Sequence, residues 1–375
     1  MRCSFFVMIL HALALPRIST SFLPASHPVV LGACRRHRPL VSSCIINTNR
    51  RFVEHPQQHA RWFSKTAVQL QQQHKYDFPI TIHNTTSNHS VTILDRGEHY
   101  LVAAKPPTVL CHHSDWAGSR RKRKKKSNDD EEEEEEEEEP TPMLQRVRDA
   151  MCGQRVNVIH RLDRGCSGCL LFAFAKTENE KNTTTTTVPN ATAILSGALA
   201  LQSTQKTYLA LVRGEGILHG RDFTKEGWFL VDRPIKDEKG RLNNATTYFR
   251  FLAGQSSLDN DPSRPRASLV LARPQTGKWH QIRRHLNGLS HPILGDSSHG
   301  NSKTNQEWRT LRGLPGERTC LHLAQLDMQP NPACPDGITA NCPLPPDMMK
   351  MLTQYLPDVL EKALPLLQEE GISLT

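Results

Sequence analysis

Within five positions the chain places His160, Arg161, Asp163 and Arg164, then Gly165, Ser167 and Gly168. One carboxylate thus sits among three potential cations. Directly downstream, Cys169 to Ala175 is almost wholly apolar, and Leu170, Leu171, Phe172 and Phe174 have the length and composition of a buried strand. Asp163 is therefore expected just before a sheet, on a turn that glycine permits, which is a place for chemistry. The competing reading is a surface ion-pair cluster of Arg161, Asp163 and Arg164, an arrangement that contributes little to stability.

Around this stretch the periodicity predicts the elements that must hold it. Val91 to Leu94 and His99 to Ala104 are β-prone and separated by the turn signal Asp95-Arg96-Gly97, so the folded part, starting near Asp77, opens on two strands. Ala191 to Gln202 is apolar at helical spacing, Lys206 to Gly214 alternates as a strand, and Thr246 to Leu252 and Ala267 to Arg273 are further strands. Gln275 to Lys278 makes a turn into a helix on which Ile282, Leu286 and Leu289 form one buried stripe. At about 100° per residue, Arg283 flanks that stripe and Arg284 points away from it. A C-terminal helix is expected over about 346–370.

Two stretches cannot join a core. Arg120 to Lys126 is basic and Asp129 to Glu139 acidic, so 117–141 reads as a disordered charged insertion, and a Thr-rich loop covers 178–191. Net charge is +9 over 375 residues, but residues 1–75 alone carry ten Lys/Arg against the single acid Glu54. The remaining 76–375 balances to zero, so binding to nucleic acid must rest on local clusters. Residues 1–75 start with a short apolar core and continue rich in Ser, Arg, His and Pro, the composition of a targeting presequence. Ser21-Phe22-Leu23-Pro24 resembles a plastid cleavage site and Arg61-Trp62-Phe63-Ser64 a mitochondrial one, so the expected destination is a plastid or a mitochondrion, with the cytoplasm as the alternative if the presequence is misread. The apolar core is too short to span a bilayer, and no membrane partner is expected. Secretion is a third option, since Asn84, Asn88, Asn182, Asn190 and Asn244 begin glycosylation sequons, but an oxidising compartment suits ten unpaired thiols poorly. Only Cys166 and Cys169 make a C-x-x-C, without the second pair a structural zinc needs, so reduced, buried thiols and no metal are expected. With no H-E-x-x-H either, a metal-dependent hydrolase ranks last.

The motif H-R-L-D-R-x-x-S-G around Asp163 resembles the catalytic motif of RluA-type pseudouridine synthases, with Cys166 where a Thr is usual. Other stretches resemble the same family in the same order: V-T-I-L-D-R-G-E-H-Y-L-V-A-A-K-P-P at Val91, K-x-Y-x-A at Lys206, T-G-K-x-H-Q-I-R at Thr276, P-I-L-G-D at Pro292 and C-L-H-L-A-Q-L at Cys320. The resemblance covers about 91–350. It implies an α+β fold, a central mixed or antiparallel sheet flanked by helices with the active-site cleft on one face. It makes Asp163 the catalytic carboxylate, Tyr208 the active-site tyrosine, Arg283 the partner of Asp163, and Leu321 a residue packed against the tyrosine.

Two more stretches, His112 to Trp116 and Gly295 to Gly300 followed by Asn305, look like the bacterial tRNA pseudouridine synthase C group. The resemblance implies an isomerase that turns uridine into pseudouridine in RNA without metal or cofactor. A tRNA is the expected partner, rRNA the alternative, and the chain is expected as a monomer. Arg161, Arg164, His113, Lys278, His280, Arg284 and His299 are expected to bind the RNA. A target base has to leave its stack, and the Tyr208 ring offers it a face. The rival from another class is a non-catalytic RNA-binding protein that keeps the fold, and Asp163, Tyr208 and Arg283 all being present argues against it.

Overall fold

The computed structural model describes residues 78–84, 89–113, 140–175, 190–256 and 265–374. The expected presequence, Trp116, and most of the charged insertion and of the Thr-rich loop lie outside the described residues. Three antiparallel strands come first, β1 (Ile80–Asn84), β2 (His89–Arg96) and β3 (Tyr100–Lys105). Helix α1 (Met143–Ala150), the short β4 (Val156–Val158) and β5 (Ser167–Phe174) follow. After α2 (Ala191–Ala200) comes β6 (Gln205–Arg213), then a small hairpin of β7 (Ile217–Leu218) and β8 (Arg221–Asp222). Strand β9 (Phe229–Asp232) leads to a second hairpin, β10 (Ile235–Lys236) with β11 (Leu242–Asn243), and then to the long pair β12 (Thr246–Gln255) and β13 (Ala267–Pro274). The rest is α3 (Gln281–Gly288), α4 (Ser302–Arg312), β14 (Leu321–Met328), β15 (Ile338–Asn341), α5 (Pro346–Tyr355) and α6 (Pro357–Glu369).

The main sheet runs in the order β1-β2-β3-β5-β14-β6-β13-β12-β9, with β4 added on β5 and β15 on β14. Its pairings are antiparallel except β5 with β14, which seams the two halves together. The expected α+β class with a mixed sheet is what forms. Strand β5 carries no polar alternation because it lies in the middle of that sheet. Ser167 to Ala173 are all buried, as is the run Ala267 to Ala272 in β13. Helix α2 packs on β5, α1 on β2 and β4, and α6 on β12 and β13. The single C-terminal helix expected over about 346–370 is instead two, broken at Leu356 (φ −134°, ψ 43°). The cause is Pro357, whose ring pushes the preceding residue out of helical geometry and which then starts α6, where its missing N–H costs nothing.

Candidate active site

Asp163 lies between β4 and β5, at the first position of a turn closed by the Cys166 amide donating to the Asp163 carbonyl at 3.0 Å. Every carbonyl of this turn has a donor. The Cys111 thiol donates to Leu162 O at 3.3 Å, and the Thr108 amide to Arg164 O at 2.9 Å. Gly165 O accepts from the Arg318 guanidinium at 2.6 Å and from the Thr319 amide at 3.0 Å. The Lys105 ammonium joins the two sides, donating to Pro106 O at 3.0 Å, Arg164 O at 3.1 Å and Cys166 O at 2.6 Å. Glycine is required at 165 for closeness rather than for φ, since a Cβ there would run into the Glu317 carbonyl.

The cation that reaches Asp163 comes from α3 and not from its own motif. Arg283 donates through Nη1 to Asp163 Oδ2 at 2.6 Å, and its other two nitrogens form a fork on Asp296, Nε to Oδ2 and Nη2 to Oδ1, both 2.7 Å. Burial alone would lower the Arg283 pKa, but the bonds and charges of the two carboxylates outweigh it and raise it. Asp296 is buried, which alone would raise its carboxyl, yet Arg283 and the amides of Ser298 and His299, each at 2.9 Å, hold it below the usual range. Helix α4 fixes that backbone: Asn305 accepts from the Gly295 amide and donates to Asp296 O, both at 2.8 Å. Asp163 keeps 37% of its side chain exposed while Asp296 keeps 1%. One carboxylate of the triad is thus presented to a ligand and the other is locked away.

His280 flanks Asp163, its Nε2 3.6 Å from Oδ2, and shares a 2.9 Å hydrogen bond between its Nδ1 and His299 Nε2. Burial first, then the charge of Arg283, pulls its imidazole down to about 4 against the pull of Asp163. At neutral pH the ring is uncharged, so it can take either side of the bond between the two ring nitrogens, one of which must accept. Tyr208 stands half-buried on β6, its phenol pushed up by burial and then by charge at Cys166 and Asp163. The β6–β14 register puts Leu323 directly across from Tyr208, with Leu321 opposite Ala210 one pleat along, a diagonal neighbour within aromatic reach.

The other anticipated residues divide. His160 is no cation: burial pulls it down to about 4, and its Nε2 accepts from the Leu171 amide at 3.1 Å. Arg164 takes the ion-pair role of the alternative reading, with Glu317 at 3.1 Å and the Thr108 carbonyl at 3.1 Å. Arg161, His113 and Lys278 are exposed. Arg284 is half-buried, donating to Lys236 O at 2.7 Å, so it ties α3 to the β10–β11 hairpin rather than standing clear of the fold. Among the described residues no three His, Cys, Asp or Glu come together as a metal site. Of their cysteines, Cys111, Cys166, Cys169, Cys320, Cys334 and Cys342 are buried and Cys152 is exposed.

Sequence reasoning passed over three supports. Lys105 is 1% exposed, a charge at the end of an apolar strand. Asp296 ends the apolar run Pro292 to Gly295. Arg318, fully buried, pairs with Asp347 at 2.7 Å and donates to Ser167 Oγ at 3.0 Å, which bonds His322 Nδ1 at 2.9 Å. A charge closing an apolar run is the signal that Lys105 and Asp296 share, whereas Arg318 follows Gly316-Glu317 and carries no such signal.

Burial pulls the Lys105 ammonium down to about 8 from its ordinary 10.5. Between those values the unfolded chain binds more protons than the folded one, so this residue makes stability rise with pH across that window. Thermal melts from pH 7 to 10.5 should show wild type gaining on Lys105→Met. Parallel curves would show that the ammonium is not held as described. Loosening the turn should also lower kcat by roughly tenfold, as a small displacement of a reacting group does.

A family model described as RNA pseudouridylate synthase matches residues 99–288. The tRNA pseudouridine synthase C of Pectobacterium carotovorum is 32% identical over 197 residues, 50% of this chain and 46% of that protein. That of Pasteurella multocida is 34% identical over 193 residues, 49% of this chain and 71% of that protein. Among solved structures, human RNA Pseudouridylate Synthase Domain Containing 1 superposes with a TM-score of 0.44 at 19% identity, covering 75% of this chain and 90% of that one. With its Asp163 motif inside the matched half, the chain belongs to the RNA pseudouridylate synthase family and is an isomerase of that class.

Proposed function

We propose that this chain converts uridine to pseudouridine in tRNA, with Asp163 as the nucleophile. The observation that carries the proposal is the Asp163 carboxylate, aimed by Arg283 at 2.6 Å and still 37% exposed. In the reaction the C1′–N1 bond breaks, the base turns over and C1′–C5 forms, C5 loses a proton and N1 gains one. Protons and electrons balance, so the protein has to supply a nucleophile, a platform and proton transfer. Asp163 serves whether it adds to the pyrimidine ring or acts at the ribose, because both routes need an ionised, desolvated carboxylate beside an extruded base. Tyr208 offers that base a ring face. His113, Arg161, Arg164, Lys278, His280, Arg284 and His299 are the proposed RNA contacts, with His280 beside the carboxylate and His299 joined to it through His280.

The choice of tRNA is supported by the names of the bacterial relatives and by a near-neutral chain beyond residue 75, which suits a compact stem-loop better than the extended surface of a ribosomal subunit. Full-length protein incubated with tRNA transcripts and with rRNA fragments should form pseudouridine in a tRNA. Modification of rRNA fragments alone would overturn the substrate class and leave the reaction standing.

A further inference from the structure

We infer that Trp279 is the stacking platform for the nucleobase next to the target uridine, and so helps decide which single-stranded loop the enzyme accepts. This rests on the reaction proposed above. Trp279 is 53% exposed, although an indole is among the side chains that gain most from burial. It lies flat on His280, ring centroids 4.0 Å apart at 23°, and His280 in turn is 3.6 Å from the nucleophile. One imidazole therefore separates an open aromatic surface from Asp163.

The fold fixes the turn that carries the indole. His280 adopts left-handed backbone geometry, φ 54°, at the start of α3. That turn is stapled by the buried Gln281, whose Oε1 accepts from the Lys278 amide at 3.0 Å and the Thr276 hydroxyl at 2.7 Å. Gln281 Nε2 donates to Thr246 O at 2.8 Å and to Thr247 Oγ1 at 2.9 Å, anchoring the turn to β12. The edge of His299 meets the indole at 6.1 Å, and the Arg284 guanidinium lies 6.0 Å from its centroid.

The ligand these features fit is an unpaired nucleotide. When uridine swings out to reach Asp163, its neighbour in the strand loses a stacking partner, and a fixed indole beside the nucleophile replaces it. Arg284 then stands within reach of the phosphate joining the two nucleotides, where a guanidinium serves both a ring and an anion. Stacking on a flat ring tolerates any base, so the platform selects for an unpaired neighbour rather than for a sequence.

The test uses full-length protein and a stem-loop RNA that the wild type modifies. Trp279→Ala should raise KM on the order of tenfold with kcat within about twofold, and Trp279→Phe should recover most of the loss. A stem-loop with an abasic residue beside the target uridine should weaken wild type by a similar factor and Trp279→Ala hardly further, because both changes remove the same contact. A KM within twofold of wild type for Trp279→Ala, or abasic and protein effects that multiply, overturns the inference. A fall in kcat together with melting temperature also overturns it, since that marks a ring that merely props up His280. Should the wild type modify no RNA at all, the proposed reaction falls, and stacking is then read from fluorescence: RNA quenching of wild type but not of Trp279→Phe supports the platform, and equal quenching removes it.

Discussion

Asp163→Asn is expected to fold, to bind tRNA and to form no pseudouridine, a loss of at least about three orders of magnitude, as when a nucleophile is removed from other enzymes. The amide keeps the size of the carboxylate and can still accept from Arg283 through Oδ1, but it has no charge to give an electrophilic carbon. Stability should change little, because Asp163 is partly exposed and such pairs contribute little. Arg283 meanwhile retains its fork on the buried Asp296. A melting temperature within a few degrees of wild type, together with unchanged RNA affinity, would assign the loss to chemistry. Activity within tenfold of wild type would remove Asp163 from the nucleophile role, whatever its geometry.

The variant also shows which parts of the site the sequence could disclose. Strand β5 and the pair Ile282 and Leu286 are local patterns that lie where periodicity predicts them, while Leu289, expected on the same buried stripe, caps the helix and is only partly buried. Strand β4 is three residues long, too short for a period to register, and neither it nor the five-residue β1 is among the expected strands. Arg283 was legible because its angle on the helix sets it beside the buried stripe. Lys105, Asp296 and Arg318 were not, because a buried charge is defined by partners that only the fold brings near. Lys105 meets Cys166 across 61 residues, and Arg318 meets Ser167 across 151. His160 shows the reverse error: its type and position suggest a cation, and its enclosure makes it a neutral acceptor. Cys166, where the resembling family usually has a Thr, serves the turn through its backbone, and burial pushes its thiol up to about 12.

Arg283→Met should be the most damaging single change to stability in this site. Asp296 is 1% exposed, and without the guanidinium it keeps only the amides of Ser298 and His299 to balance a buried negative charge. Breaking one side of such a pair costs about 3–5 kcal/mol, whereas replacing both sides by neutral groups is often tolerated. The melting temperature should fall by roughly 6–20 °C, taking about 2–4 °C per kcal/mol for a domain of this size. The pH dependence has a sign that identifies the cause. In wild type the Asp296 carboxyl is held below its ordinary 3.8, so its contribution is present above that value and fades as pH falls through the lowered one. In Arg283→Met only burial and the two amides remain; with burial dominant the carboxyl rises, and acidification relieves part of the damage. The gap between variant and wild type should therefore narrow as pH falls from 7 towards 5. Adding Asp296→Asn to Arg283→Met removes the orphaned charge and should restore much of the stability. It should restore none of the activity, since Asp163 still lacks the cation that aims it. If the double variant melts as low as the single one, the loss comes from packing around Arg283 and not from the charge on Asp296. If it regains turnover, Arg283 supports the fold alone and the aim of Asp163 is set by His280 and the turn.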